Sequence, residues 1–154
     1  MIRAIMFDFD GVLVESVEVK TRAYRLLFYN ENDEMIRKFI NYHIKHGGIS
    51  RFEKIRMFYK DILQRTLSEE YFQELCLRFS KLVVDEVVAA PWVEGAQEFL
   101  VQHQNRYIFS IISGTPEEEL REIVHRRQMN HFFDSVRGAP KDKVTLLGEV
   151  MQKN

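Results

Sequence analysis

Residues 1–15 read MIRAIMFDFDGVLVE. The apolar run around Ala4, Ile5, Met6 and Phe7 stops abruptly at Asp8-Phe9-Asp10-Gly11. A short bulky run bounded by Asp-Gly reads as a buried strand that ends in a turn. Residues two apart on a strand share a face, so Asp8 and Asp10 are expected to project together at its C-terminal end. Each carboxylate disfavours ionisation of the other, and no cation lies near them in sequence. A divalent metal or a phosphoryl group would repair that arrangement. The competing reading is an ordinary Asp-x-Asp-Gly turn, with Asp bonding the backbone and Gly11 at positive φ.

Composition narrows the class of protein. The 154 residues fit one compact domain, or a small domain carrying a large insertion. Hydrophobic residues make up 45% of the chain, enough for a core. No apolar stretch approaches the roughly 20 residues of a membrane span, and the opening run is too short for a secretory signal. A net charge of −1 excludes a general polyanion surface, so no nucleic-acid partner is expected and phosphate recognition must be local. Cys76 stands alone and falls beside Phe72, Leu75 and Phe79, which makes it a core thiol. A cytoplasmic protein without a membrane partner is the economical expectation.

Two textures alternate along the chain. Residues 1–15 are strand and turn, and a β/α pattern resumes near Trp92. The block between them shows no strand and reads as helices over 17–30 and 34–45, with Gly47-Gly48 closing the second. Phe52, Ile55, Phe58, Tyr59, Ile62 and Leu63 predict one further amphipathic helix. Another follows Ser68, its expected N-cap, and Pro91 stops it. Beyond residue 93 the pattern is helix (95–104), strand (106–113), helix (116–127), strand (133–137) and helix (141–152). Such alternation implies an α/β fold with a parallel, Rossmann-like sheet, whose ligands bind outside the carboxyl ends of the strands.

Two more constellations lie at such ends. Thr115 as N-cap, Pro116 at N1 and Glu118 at N3 make a helix start. That leaves Ser113 and Gly114 unexplained, where a hydroxyl and an unencumbered amide could hold a phosphoryl oxygen. Downstream, Lys141 and Lys143 sit where a helix begins, on the wrong side of its dipole. A bound anion there would reverse the sign of that argument.

In this order the three segments resemble the motifs of the haloacid dehalogenase superfamily. Asp8-Phe9-Asp10-Gly11-Val12-Leu13-Val14-Glu15-Ser16 resembles motif I, with Glu15 where many members have Asp. Ser113-Gly114 resembles motif II. Gly138-Ala139-Pro140-Lys141-Asp142-Lys143 resembles the motif III variant Gly-Ser-Pro-x-x-Lys, with Ala139 in the Ser position, which makes Lys143 the functional lysine and Lys141 the runner-up. A helical insertion between the first two motifs is the C1 cap of this superfamily. Tyr42-His43-x-x-x-Gly47-Gly48-x-Ser50-Arg51 resembles a phosphoglycolate-phosphatase-like subgroup. The implied organisation is a core of residues 1–15 and 93–154 with a cap of residues 16–92.

The resemblance implies a Mg²⁺-dependent phosphatase acting on a small phosphorylated metabolite through an aspartyl-phosphate. Asp8 would be the nucleophile and Asp10 the acid and base. Mg²⁺ would sit on the Asp8 carboxylate, the Asp10 carbonyl and a carboxylate from a fourth motif. Ser113 and Lys143 would neutralise the transferring phosphoryl group, with Gly11, Gly114, Lys141, Arg51 and His43 on the substrate. For Arg51, and for Lys54 one turn away, a solvated helix face is the alternative; for His43 it is a core or capping role. A phosphomutase of the same superfamily shares all three motifs.

The fourth, acidic motif is missing, because only eleven residues follow Lys143 and they read as helix. C-terminal strands are thus expected to be absent, leaving an apolar edge on the strand over 2–8 that invites pairing with a second copy. Three readings follow: a fragment of a longer phosphatase, which is favoured; a shortened protein completing its sheet as a homodimer; or an inactive phosphate-binding or interaction protein.

Overall fold

The computed structural model describes residues 2–153. Its elements run β1 (Ala4–Phe7), α1 (Val17–Leu27), α2 (Asp33–Lys45), α3 (Arg51–Met57), a π-helical turn (Phe58–Ile62), α4 (Glu69–Ala89), α5 (Ala96–His103), β2 (Ile108–Pro116), α6 (Glu117–Arg126), β3 (Ser135–Ala139) and α7 (Lys143–Lys153). The three strands form one parallel sheet in the order β1-β2-β3. The α/β class and the alternation beyond Trp92 are as expected, with most boundaries moved by one to three residues.

Alternation along the strands sorts the two faces of the sheet. Phe109 and Ile111 of β2 join Phe7 of β1 and the buried Leu120, Ile123 and Val124 of α6 in the main core. The opposite face carries Ile112 and Met6, which meet Leu146 and Val150 of α7 in a smaller cluster. With helices on both faces, β2 reads as a nearly continuous apolar run. Within residues 108–112 Ser110 is the polar exception, and its Oγ accepts the Ser135 hydroxyl at 3.0 Å. Among the described residues the outer edge of β1 has no strand partner. This is the edge at which pairing with a second copy was expected.

The helices between β1 and α5 pack into a layer of their own. Tyr24, Phe28, Phe39, Phe58 and Phe79 stack edge-on or tilted at its centre, with ring centroids 4.2–5.1 Å apart in the closest pairs. Ser68 caps α4 by accepting the Tyr71 amide at 3.2 Å, as expected, and Cys76 is buried. The single helix expected across Phe52 to Leu63 is not continuous. After Met57 it widens to a π turn closed by the Leu63 amide on the Phe58 carbonyl at 2.8 Å. The wider turn lets the consecutive Phe58 and Tyr59 both face inward.

The return from α4 to the sheet is pinned by Arg127. Its Nη1 donates to the carbonyls of Val87, Val88 and Ala90 at 2.9, 2.8 and 2.6 Å. A guanidinium there satisfies carbonyls at the end of α4, where among the described residues only that of Val87 also receives an amide, from Ala90, and complements the negative end of the helix.

Candidate active site

The turn after β1 is rigidly seated. Phe9, Leu13 and Val14 are buried, the Gly11 amide bonds the Val14 carbonyl at 2.8 Å, and Glu15 bonds the Pro91 carbonyl at 3.0 Å. Gly11 takes φ +73°, where a Cβ would meet Val17. From this base Asp8 and Asp10 enter one cavity of about 280 Å³.

Each carboxylate meets a lysine brought to it by the fold. Asp8 Oδ1 accepts the Phe9 amide at 2.8 Å, and Oδ2 accepts Lys143 Nζ at 2.6 Å. Asp10 accepts Lys20 Nζ and Ser16 Oγ, each at 2.5 Å, and Thr115 Oγ1 at 3.3 Å. Lys20 also donates to Thr115 Oγ1 at 2.7 Å. Burial works to raise the Asp10 pKa, but the charge of Lys20 and the hydrogen bonds from Lys20, Ser16 and Thr115 outweigh it. The net result is a carboxyl held below its usual range.

The other expected residues separate into three groups. Gly114, His43 and Arg51 line the same cavity. A Cβ on Gly114 would lie 2.5 Å from the Gly48 carbonyl, so only glycine lets the loop between α2 and α3 rest against the strand end. Arg51 is not available to a distal anion: it is buried, Nη1 donates to Ser80 Oγ at 2.6 Å and to Glu119 at 2.9 Å, and Nη2 donates to the other Glu119 oxygen. Lys54 therefore parts company with Arg51, and it too lines the cavity. Ser113 is buried just behind the wall, its Oγ accepting the Thr115 amide at 3.1 Å. Lys141 turns away to Glu149, and Gly11 stays outside the cavity lining. Thr115 is not the N-cap of α6. β2 continues to Pro116, which takes the cap position without a side-chain bond, because the Thr115 hydroxyl is drawn to Asp10 and Lys20.

A family model described as haloacid dehalogenase-like hydrolase matches residues 2–152. The chain belongs to that family. Similar folds include a predicted phosphoglycolate phosphatase from Haemophilus somnus 129pt, 16% identical at TM-score 0.71, over 99% of this chain and 71% of that one. CbbY from Rhodobacter sphaeroides, solved in complex with phosphate, is 16% identical at TM-score 0.70, over 100% and 74%. A β-phosphoglucomutase from Clostridium difficile is 23% identical at TM-score 0.70, over 93% and 64%. No curated protein matched the sequence.

For a haloacid dehalogenase-like hydrolase, the residues missed in the sequence are Lys20, Ser16 and Thr115 around Asp10. One signal was available. Lys20 lies in the first turn of α1, as misplaced against the dipole as Lys143 is on α7. The same reasoning that singled out Lys143 applies to both. Members of this family generally use Mg²⁺. Among the described residues no group of three or more His, Cys, Asp or Glu side chains could hold a metal. The Asp8 carboxylate and Asp10 carbonyl are hard oxygens, and Mg²⁺ commonly binds one or two protein carboxylates plus substrate phosphate while keeping its waters. The donor set fits an ion held jointly with substrate.

Proposed function

We propose that the protein is a Mg²⁺-dependent phosphatase of small phosphorylated metabolites, of the phosphoglycolate-phosphatase-like kind, working through an aspartyl-phosphate. The observation that carries this is the convergence on one cavity of Asp8, which Lys143 bonds from beside it, and Asp10, which Lys20 bonds within it. An Asp8 oxygen attacks phosphorus as the ester P–O bond breaks, and Asp10 gives its proton to the departing alkoxide. Asp10 then takes a proton from water whose oxygen attacks the acyl phosphate, releasing phosphate and regenerating Asp8. Lys20, Ser16 and Thr115 favour the ionised form of Asp10, the form required for that second half, so the first half requires a proton to be bound there before the alkoxide departs. Lys143 balances charge on the transferring group, while Ser113, behind the wall, fixes the Thr115 amide and with it the end of β2. Mg²⁺ on Asp8 and the Asp10 carbonyl would add positive charge beside the phosphoryl oxygens.

Residues 16–92 act in this reading as a cap over the core formed by residues 1–15 and 93–154. The closed state is supported by Gly48, where a Cβ would lie 2.7 Å from Lys143 Nζ and 3.5 Å from Asp8. Substrate entry then requires the helical layer to move. Release of 4-nitrophenol from 4-nitrophenyl phosphate, dependent on Mg²⁺ and abolished in Asp8→Asn, is the expected result. Absence of turnover with Mg²⁺ present would contradict it, and isomerisation of a sugar phosphate without phosphate release would identify a mutase.

A further inference from the structure

Three cations line the cavity, and two of them hold a carboxylate: Lys20 with Asp10 and Arg51 with Glu119. Lys54 is the exception. It is 3% exposed, lies on the cavity wall, and has no acidic partner among the described residues. A buried ammonium without a counterion is costly, and a chain is expected to avoid it unless something completes the site.

The local hydrogen bonds show how Lys54 is presented. The Thr21 hydroxyl donates to the Val17 carbonyl at 3.0 Å, leaving its lone pair for His43 Nε2 at 3.1 Å. The His43 proton therefore sits on Nε2, and Nδ1 is free to accept from Lys54 Nζ at 2.9 Å. A second Lys54 N–H leans on the His43 carbonyl at 3.4 Å. An ammonium has three donors, so one remains. Burial, then the Lys54 charge, draws His43 down to about 4, so the ring is neutral at physiological pH. Burial, then the Lys20 charge, brings Lys54 to about 8, and the side chain is still mostly cationic there.

The geometry points to Lys54 as a specificity residue that reads a second anionic group, a carboxylate or a second phosphate, on the phosphorylated substrate. Its placement rests on the phosphatase reading of Asp8 and Asp10. His43 and Thr21 act as positioning residues that hold the ammonium toward the cavity. A purely structural Lys54, present only to fix His43, would leave substrate discrimination untouched.

Two substrate pairs separate the possibilities. The ratio of kcat/KM for 3-phosphoglycerate over glycerol 3-phosphate reports a carboxylate. The ratio for glucose 1,6-bisphosphate over glucose 1-phosphate reports a second phosphate. One of these ratios is expected to exceed about tenfold in the wild type. Lys54→Met should bring it close to one, chiefly through KM, while Lys54→Arg retains part of it. Met matches Lys in bulk and removes the unpaired charge, so this variant is expected to melt no lower than the wild type. Ratios near one in the wild type, or a ratio unchanged in Lys54→Met, would overturn the assignment. If no phosphate is released from 4-nitrophenyl phosphate, the phosphatase reading itself has failed. Calorimetric affinities for the same four compounds then decide on Lys54 by the same ratios.

Discussion

Two lysines at the first turns of two helices meet the two carboxylates that enter the cavity, Lys20 on Asp10 and Lys143 on Asp8. Lys143 touches Asp8, and Lys141, two residues earlier, is occupied by Glu149 on the surface. Lys143→Met is expected to lower kcat by about 10²–10³-fold, as loss of a charge-stabilising donor does, whereas Lys141→Met should change it by less than about threefold. Steady-state kinetics on an aryl phosphate distinguishes the two. His43 gives a second prediction. Unfolded, its imidazole protonates near 6.5; folded, near 4. Between those values the unfolded chain binds more protons, so stability is full above 6.5 and falls as the pH drops toward 4. Unfolding free energies from urea titrations at pH 7 and pH 4.5 should differ by on the order of 2–3 kcal/mol from this group. His43→Gln should reduce the difference; an unchanged pH dependence would exclude His43 as its source. The convergence of Asp8 and Asp10 was legible from their spacing after an apolar run, although β1 ends at Phe7 and both stand in the turn beyond it rather than on the strand. Their lysines were half legible, since dipole placement flags Lys20 and Lys143 without saying which carboxylate each meets.

At the scale of elements, sequence periodicity recovered every strand and most helices, and failed where tertiary partners decide the ending. Thr115 has every local feature of a cap, yet Lys20 and Asp10 from the other end of the chain capture its hydroxyl and the strand runs on to Pro116. Spacing within residues 52–63 could not show the π turn, because three-four periodicity tolerates one extra residue when both Phe58 and Tyr59 are apolar. The staple at the end of α4 was equally invisible, since Arg127 is remote in sequence from the carbonyls it binds. Arg127→Met removes three charge-assisted bonds and should cost about 2–4 kcal/mol of unfolding free energy, measured by chemical denaturation. A loss below about 0.5 kcal/mol would mean water replaces the guanidinium without penalty.

Across the whole molecule, the helical layer and the sheet are joined over the cavity by Arg51, Ser80 and Glu119. Ser80 Oγ donates to Glu119 at 2.5 Å, so three side chains from α3, α4 and α6 close one network. Glu119→Ala strands a buried guanidinium and is expected to destabilise the protein by about 3–5 kcal/mol. Differential scanning fluorimetry would show this as a clear fall in Tm. Gly114 is the steric counterpart. Gly114→Ala forces the Gly48 carbonyl away from the strand end. The expected result is an active-site loop held open, with kcat/KM lowered about tenfold or more and little change in Tm. The order of motifs and the helical insertion between them were legible from the sequence. The closure was not, because it depends on where the loop around Gly48 comes to rest.

One contact also bears on the order of events during synthesis. Asp8 and Lys143 are separated by 135 positions. A ribosome extends the chain from its N-terminus, so Asp8 emerges long before its lysine has been translated. Until α7 docks, the nucleophile lacks that counter-charge, and joining ends so far apart is a slow, non-local step. A nascent chain thus carries Asp8 without this partner until the residues up to Lys143 have been added.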